Sequence, residues 1–170
     1  MASRDETTPK ATTALDAIQL LTADHKQVKQ LFKDFEKLVD GQAGDDEKQT
    51  LAERNCTMLT AHATIEDDIF YPAARQAIDE QDLLDEAVVE HASAKDLIGQ
   101  IEDMEPSEEL YDAKVTVLGE YIDHHVKEEE GQIFPKLQKA KLDLQALGER
   151  MLVRKDEVLA ELGAAESTKA

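Results

Sequence analysis

The chain has 170 residues, of which 41% are hydrophobic and 34% charged, a balance typical of a single soluble domain that can bury a core. Its formal net charge is −19, which argues against nucleic acid or an anionic membrane surface as a partner, since both are bound through lysine and arginine. The sequence shows neither a membrane-spanning apolar run nor the apolar core of a signal peptide. Its one cysteine, Cys56, cannot form an internal disulfide, so we expect a reducing, cytoplasmic location.

Apolar residues recur three and four positions apart along the chain, which predicts an all-α protein. Aromatic residues make up only 4% of the sequence, and glycine and proline are few, as expected of helices. We expect residues 1–13 to be a disordered lead-in and residues 164–170 a frayed tail. Five helices are predicted, over residues 15–39, 47–71, 82–104, 108–134 and 142–162.

Short connections separate the first four predicted helices. Glycine and aspartate interrupt the helical pattern at residues 40–46, and a Glu-Pro-Ser sequence interrupts it at residues 105–107. Helices joined by short loops pack as antiparallel neighbours, so residues 14–140 are predicted to form an up-down-up-down four-helix bundle. The amphipathic helix within residues 141–163 is expected to pack outside this bundle or in a dimer contact, and the protein to be a monomer or a homodimer.

One motif occurs twice, near the ends of the second and fourth predicted helices. In each copy a histidine is followed four residues later by a glutamate, and a proline comes six residues after that. Residues four apart share a helix face, so each copy presents an imidazole and a carboxylate together. The prolines are expected to bend or end their helices. The two copies are His62, Glu66 and Pro72, and His125, Glu129 and Pro135.

The first and third predicted helices carry one histidine each on their apolar faces, His25 and His91. Counted from the loops at ~1.5 Å of rise per residue, the four helices bring their histidines to one level within about one turn. Carboxylates buried at that level repel one another and must be paired or bound to metal, and imidazole with carboxylate is a common metal ligand set. The sequence therefore predicts a buried metal site. Its candidate ligands are His25, His62, Glu66, His91, His125 and Glu129.

Some residues near this site have competing interpretations. A single histidine on an apolar face is more often a core residue than a ligand, but four at one level favour the metal site. His124 pairs with Glu128 four residues on and is the alternative to His125, which is preferred because it keeps the motif distance to Pro135. Tyr121 lies one turn before His125 and is a candidate to approach the metals, although a plain core tyrosine is the favoured interpretation.

These residues resemble the motifs of the hemerythrin-like, HHE cation-binding family. The matching segments are Asp24-His25, His62 with Glu66, Glu90-His91, and His125 with Glu129, and each His-Glu segment runs on to an aromatic residue and proline. The resemblance covers about residues 18–137 and implies a hemerythrin-like bundle around a non-haem di-iron centre, with manganese and zinc as alternatives to iron. It implies that one iron is held by His25 and His62, the other by His91 and His125, and that Glu66 and Glu129 bridge both, with a water-derived oxygen between them.

One position departs from the family pattern. Oxygen-carrying hemerythrins have a second histidine four residues after the third-helix histidine, and here that position is Lys95, whose ammonium cannot ligate. Fewer imidazoles leave positions for small ligands such as O2, NO or H2O2, so the resemblance favours reaction with small oxidants, in sensing or stress protection, over oxygen storage. A catalase-like or peroxidase-like enzyme and an iron-binding or storage protein are alternatives, and a metal-free structural bundle is the third class.

Overall fold

The computed structural model describes residues 14–167, with side chains described through residue 163. The predicted lead-in at residues 1–13 lies outside the described residues, as do residues 168–170 of the predicted tail. Within the described part every regular element is helical, which confirms the all-α prediction. The α-helices are α1 (Ala17–Asp40), α2 (Asp45–Ile65), α3 (Tyr71–Ala77), α4 (Gln81–Glu102), α5 (Tyr111–Glu128), α6 (Phe134–Lys139) and α7 (Leu144–Ser167), and π-helical turns lie at Glu66–Phe70 and Glu129–Ile133.

The long helices α1, α2, α4 and α5 form the predicted up-down-up-down bundle. The first of them starts at a capping box, in which the Asp16 carboxylate accepts a hydrogen bond from the Gln19 backbone at 2.8 Å and the Gln19 side chain accepts one from the Asp16 backbone at 3.1 Å. Along the bundle α1 packs on α2 and α4 on α5, and contacts of α1 with α5 and of α2 with α4 close it. None of the helices in residues 14–167 is long and apolar enough to cross a membrane.

The fifth predicted helix, α7, lies along the outside of the bundle against α1 and α2, which is one of the two positions expected from the sequence. Its apolar stripe of Leu147, Met151 and Val158 is buried there. The stripe is spaced by four and seven residues, as one face of a helix requires. The backbone of α7 is helical through Ser167, beyond the predicted start of the frayed tail.

Two separate apolar clusters fill the two halves of the bundle, and a layer of polar side chains lies between them. On α1, Leu21 belongs to one cluster, Val28 belongs to the other, and His25 lies between them. The same order recurs with Ile65, His62 and Leu59 on α2, and with Ala87, His91 and Ala94 on α4. The clusters separate this layer from bulk water, so charges within it interact strongly.

The two prolines are expected from the sequence to bend or end their helices, and neither of them ends the helical run of the chain. Pro72 and Pro135 each take the second position of a short α-helix, and the chain stays helical to Ala77 and Lys139. Proline lacks an N–H and clashes with the carbonyl four residues before it in a regular α-helix. Each proline comes shortly after a π-helical turn. In such a turn the backbone N–H bonds to the carbonyl five residues earlier instead of four, so the turn is wider than in an α-helix.

Candidate metal centre

All six side chains singled out as metal ligands are buried in the polar layer between the two apolar clusters. They come from α1, α2, α4 and α5 and from the first residues of the two π-helical turns. The residues separate into two groups, and within each group one ligand atom per residue lies within 4.8 Å of the others. The first group is His25, His62 and Glu129, and the second is Glu66, His91 and His125.

Glu66 lies between the two groups. Its Oε1 atom is 2.6 Å from Nε2 of His62 in one group and 3.7 Å from Nε2 of His91 in the other. A carboxylate that faces one imidazole of each group is placed as a bridging ligand would be.

Glu129 repeats this arrangement from the opposite half of the bundle. Its Oε1 atom is 3.7 Å from Nε2 of His25, and its Oε2 atom is 2.9 Å from Nε2 of His125. Two carboxylates and four imidazole nitrogens therefore face one another in a space that divides naturally into two cation positions.

Several of these inward atoms have no hydrogen bond. They are Nε2 of His25 and His62, both carboxylate oxygens of Glu66, and Oε1 of Glu129. Nε2 of His62 and Oε1 of Glu66 are close as an ion pair, at 2.6 Å, but do not meet in the geometry of a hydrogen bond. A buried polar atom without a partner is costly, and a buried carboxylate without one is more so. Shared divalent cations would satisfy all of these atoms at once, so the residues present fit a metal centre.

A second ring of carboxylates surrounds the imidazoles. Each of the four rings turns Nε2 inward and has its other nitrogen, Nδ1, against an acidic side chain. The pairs are His25 with Glu130 at 2.9 Å, His62 with Asp24 at 3.0 Å, His91 with Asp67 at 2.8 Å and His125 with Glu90 at 2.5 Å. A carboxylate at Nδ1 favours the tautomer with the proton on that nitrogen, which leaves the Nε2 lone pair free for a metal.

Sequence reasoning gave no role to these outer carboxylates, although a signal for them was present. Asp24 and Glu90 each directly precede a histidine of the first or third predicted helix, and Asp67 and Glu130 each directly follow the glutamate of a motif. Acidic residues that recur at the same position relative to a ligand in both halves of the chain indicate a shared structural role. Each serves a histidine on another helix, so the helical period alone could not reveal the partner.

Two lysines extend this ring. Lys155 of α7 donates to Oδ1 of Asp24 at 2.5 Å, and Lys95 of α4 donates to Oδ2 of Asp67 at 2.5 Å. Lys95, which occupies the position of an additional histidine in the family pattern, therefore pairs with an outer carboxylate and does not face the centre.

The centre also contains a tyrosine that the sequence interpretation missed. The Tyr71 hydroxyl donates to Oε2 of Glu129 at 2.8 Å, and it lies 3.2 Å from Nε2 of His125 and 3.4 Å from Nε2 of His91. Tyr71 follows Glu66 by five residues, the span of one π-helical turn, so a search at spacings of three and four overlooks it.

The equivalent of Tyr71 in the second half of the chain is Phe134. It follows Glu129 by five residues in the same way, and its ring stacks against His25 with ring centroids 5.9 Å apart. The aromatic residue before each proline is thus part of the centre. Only the first half supplies a hydroxyl.

The three residues named as secondary candidates lie outside the ring of buried ligands. Tyr121 is 52% exposed, because the inward line of α5 runs through Leu118 and His125 and passes beside it. The His124 side chain is 68% exposed and lies 3.3 Å from Glu128, as a surface pair one helical turn apart. The favoured interpretation of Tyr121 as a core tyrosine is therefore wrong: it lies exposed, where it lines the cavity that also contains the four histidines. His125 is the inward member of the His-His pair.

The charges of the buried groups are strongly coupled. Burial raises the pKa of Glu66, but the charge and hydrogen bond of His62, together with His91 and Glu129, hold the pKa well below its usual value. Burial lowers the pKa of His62, yet the Glu66 and Asp24 carboxylates together raise it to about 10. Burial also lowers the pKa of His125, and Glu129, Glu66 and Glu90 together raise it to about 9. The carboxylates thus favour positive charge in this layer, whether from protons or from cations.

A cavity of about 300 Å³ includes the centre and is lined by residues of α1, α2, α4 and α5. All four buried histidines line its inner end. Its wall is mostly apolar, with side chains such as Val28, Leu59 and Ile98. The cavity is large enough for a small molecule, and polar side chains such as Thr60, Ser93 and Lys95 also line it.

Comparisons with known proteins agree with this architecture. A solved structure, a Hemerythrin HHE cation binding domain-containing protein of Mycobacterium kansasii described as a homolog of Rv2633c, has the same fold, with a TM-score of 0.72 and 24% identity over 86% of this chain and 89% of that chain. A curated protein of Nostoc sp. (strain PCC 7120) named DNA nickase is 30% identical over 116 residues, which is 68% of this chain and 31% of that protein. The chain therefore spans about a third of the length of this relative.

The family comparison covers most of the chain. Residues 16–162 match the model of the Hemerythrin HHE cation binding domain, a span that includes all four bundle helices and most of α7. The match contains both copies of the His-Glu motif and the two additional histidines. The chain belongs to the hemerythrin HHE cation-binding domain family.

Proposed function

We propose that this domain holds two iron ions in its buried centre and uses them to bind or reduce small oxidants such as O2, NO or H2O2. The observation that carries the proposal is the position of Glu66 and Glu129, each of which faces an imidazole of both ligand groups from the middle of the layer. Two cations that share both carboxylates account for the inward atoms that have no hydrogen bond.

The ligand set supports iron over most other metals. Imidazole with carboxylate suits iron and zinc, calcium and magnesium prefer oxygen ligands alone, and soft copper sites favour thiolate or thioether. Manganese and zinc are the alternatives that a loading experiment must compare. When bound, a pair of iron ions would supply the electrons for reduction of an oxidant.

The protein residues would then act by orienting and shielding the centre. The outer carboxylates keep the imidazoles in the tautomer that ligates, and the apolar clusters keep bulk water away. The Tyr71 hydroxyl lies beside the second ligand group and can donate a hydrogen bond to a ligand there. The cavity admits small molecules and directs them to the same place.

Lys95 favours reaction over reversible oxygen storage. Its ammonium pairs with Asp67 and supplies no ligand, so each position has two imidazoles and shares two carboxylates. Each cation then has coordination positions left for an incoming oxidant. We assign the domain a role in sensing or removing such oxidants.

Metal loading followed by a peroxide assay tests this proposal. Chelated protein is loaded anaerobically with Fe²⁺, freed of excess metal, and analysed for bound metal and for loss of H2O2. We expect two iron ions per chain and sustained peroxide loss with release of one O2 for every two H2O2, because a second H2O2 is the only reductant present in the assay. His62→Ala is expected to bind fewer ions and to lose the activity, while His124→Ala, which removes an exposed imidazole, keeps both.

Three results would count against the proposal in different ways. If transition metals do not bind under iron-replete conditions, the domain is a structural bundle. Reversible oxygen uptake without peroxide turnover would identify a carrier. Equal loss in His62→Ala and His124→Ala would mean that the activity comes from iron on the surface.

The relative named DNA nickase calls for one further assay. Its name applies to a protein about three times as long as the shared region, and the present chain has 38 acidic against 19 basic residues. Such a charge opposes binding to a phosphate backbone. We expect the metal-loaded domain to leave supercoiled plasmid intact, and conversion to the nicked form would place phosphodiester cleavage within this domain.

A further inference from the structure

The fifth helix is connected to one side of the metal centre through a buried chain of hydrogen bonds. Lys155 of α7 donates to Oδ1 of Asp24 on α1, and Oδ2 of the same carboxylate accepts from Nδ1 of His62 on α2 at 3.0 Å. Lys155 and Asp24 are 131 residues apart in the chain, so this link exists only when α7 is docked.

The corresponding link on the other side of the centre is built differently. Lys95 donates to Asp67, whose other oxygen is 2.8 Å from Nδ1 of His91. Lys95 lies one turn after His91 on α4 itself, so no additional helix is involved. The Lys95 side chain is 48% exposed and that of Asp67 26%, whereas the side chains of Lys155 and Asp24 are 14% and 6% exposed.

We infer that Lys155 is a positioning residue for the metal position formed by His25 and His62, and that the fifth helix thereby controls retention of one ion of the pair. This inference rests on the proposed two-metal centre. A charge pair shielded from water is not weakened by solvent, and removal of one member leaves the other as an uncompensated buried charge. Asp24 without Lys155 would lose the fixed position from which it orients His62.

By the same reasoning, the exposed pair of Lys95 and Asp67 contributes less to the position of His91. Water and salt screen Lys95 and Asp67, and exposed ion pairs contribute little. The two metal positions are therefore unequal. The ion at His25 and His62 depends on α7, and the ion at His91 and His125 depends on the bundle helices alone.

Zinc titration of chelated protein tests this assignment, since Zn²⁺ binds such ligands without redox chemistry. Wild-type protein should bind two ions. Lys155→Met should weaken one of the two sites by roughly 10- to 100-fold, the usual effect of losing an outer-shell partner, and leave the other unchanged. Lys155→Arg should restore most of the affinity. The matched control is Arg154→Met, because Arg154 pairs with the surface carboxylate of Asp68.

Two variants that each keep only one metal position show which site Lys155→Met affects. His91→Ala leaves the His25–His62 position, and there Lys155→Met should lower zinc affinity. His25→Ala leaves the other position, and there Lys155→Met should have no effect. If Lys155→Met does not fold, Asp24→Asn takes its place and should cause the same selective loss.

The outcomes separate failure of this inference from failure of the proposed function. A wild-type protein that binds fewer than two ions refutes the two-metal centre and the inference with it. Two wild-type ions combined with unchanged affinities in Lys155→Met, or with equal weakening of both sites, refute only the role of Lys155.

Discussion

The two halves of the chain place Tyr71 and Phe134 at equivalent positions, and only one of them has a hydroxyl. That hydroxyl lies 2.8 Å from Glu129 and within 3.4 Å of His91. Burial, followed by the charges of Glu129 and Glu66, raises the pKa of Tyr71 well above its usual value, so the hydroxyl keeps its proton. The difference gives one side of an otherwise repeated centre a neutral hydroxyl that can donate a hydrogen bond.

Tyr71→Phe is the corresponding prediction, and the repeat shows that phenylalanine fits at such a site. We expect two iron ions to remain bound and peroxide loss to fall by roughly 10²-fold, because loss of one preorganised hydrogen-bond donor typically costs at least that factor. Tyr111→Phe is the control, since Tyr111 is buried in the apolar cluster away from the centre. Iron analysis and initial rates check the prediction, and an unchanged rate in Tyr71→Phe would exclude a role for its proton.

Cys56 provides a pH-dependent prediction. Burial, followed by the charges of Glu102 and Glu53, raises the pKa of its thiol from 9.0 to about 12. We expect the native protein to resist iodoacetamide at pH 9 and to react at once when unfolded in urea, because only the thiolate is nucleophilic. The raised folded-state pKa also means that the contribution of Cys56 to stability is present below pH 9.0 and is lost as pH rises towards 12. Rapid alkylation of folded protein at pH 9 would show that the thiol is accessible.

At the scale of elements, the π-helical turns explain why each motif ends in an aromatic residue and proline. The extra residue in the turn brings the side chain five positions after each glutamate back to the buried face. Proline then causes no break, because it starts the next α-helical segment near a position where an N–H has no partner. The turn therefore both positions the glutamate and supplies the neighbouring aromatic ring.

Docking of α7 depends on a glycine at its closest approach to the bundle. A Cβ atom on Gly148 would lie 2.7 Å from backbone atoms of Leu15, Asp16 and Ala17. Because backbone cannot move aside as a flexible side chain does, Gly148→Ala is expected to destabilise the protein by about 1–3 kcal/mol.

Urea unfolding of metal-free protein measures this effect, and Gly99 supplies the control. A Cβ at Gly99 in α4 meets nothing within 4 Å, so Gly99→Ala should stabilise the protein by about 0.5–1 kcal/mol through helix propensity. If both variants unfold at the wild-type urea concentration or above, the close contact of α7 is not rigid.

At the scale of the whole molecule, the polar layer joins all four bundle helices at one level between two independent apolar clusters. Cations in this layer would connect α1, α2, α4 and α5 at a point where the protein buries two carboxylates, Glu66 and Glu129, among four imidazoles. Metal binding should therefore act on the stability of the entire bundle.

We expect metal loading to raise the melting temperature, because a ligand that binds only the folded state stabilises it, by about 4 kcal/mol at a thousandfold excess over Kd. Loading with Fe²⁺ or Zn²⁺ should shift the melting transition upward, and a chelator should reverse the shift. His124→Ala should respond like wild type, since its imidazole is exposed. Calorimetry that gives identical transitions with and without metal would contradict a centre inside the fold.

The sequence by itself determined the helical class, the antiparallel order of four helices and the burial of four histidines with two glutamates. These follow from spacing along the chain: residues four apart share a helix face wherever the helix lies, and short loops leave neighbouring helices little choice but to pack antiparallel. Both the fold class and the family follow from such local information.

Only the tertiary structure decided how the centre is completed. Tyr71 enters it through a change of helical period that no spacing of three or four contains, and Asp24 serves a histidine on a different helix. Lys155 pairs with Asp24 across 131 residues of sequence, and Tyr121 is exposed at the cavity that contains the histidines instead of buried in the core. The physical reason is the same in each case: these contacts depend on how helices are rotated and docked against one another, which packing sets and the pattern within one helix does not contain.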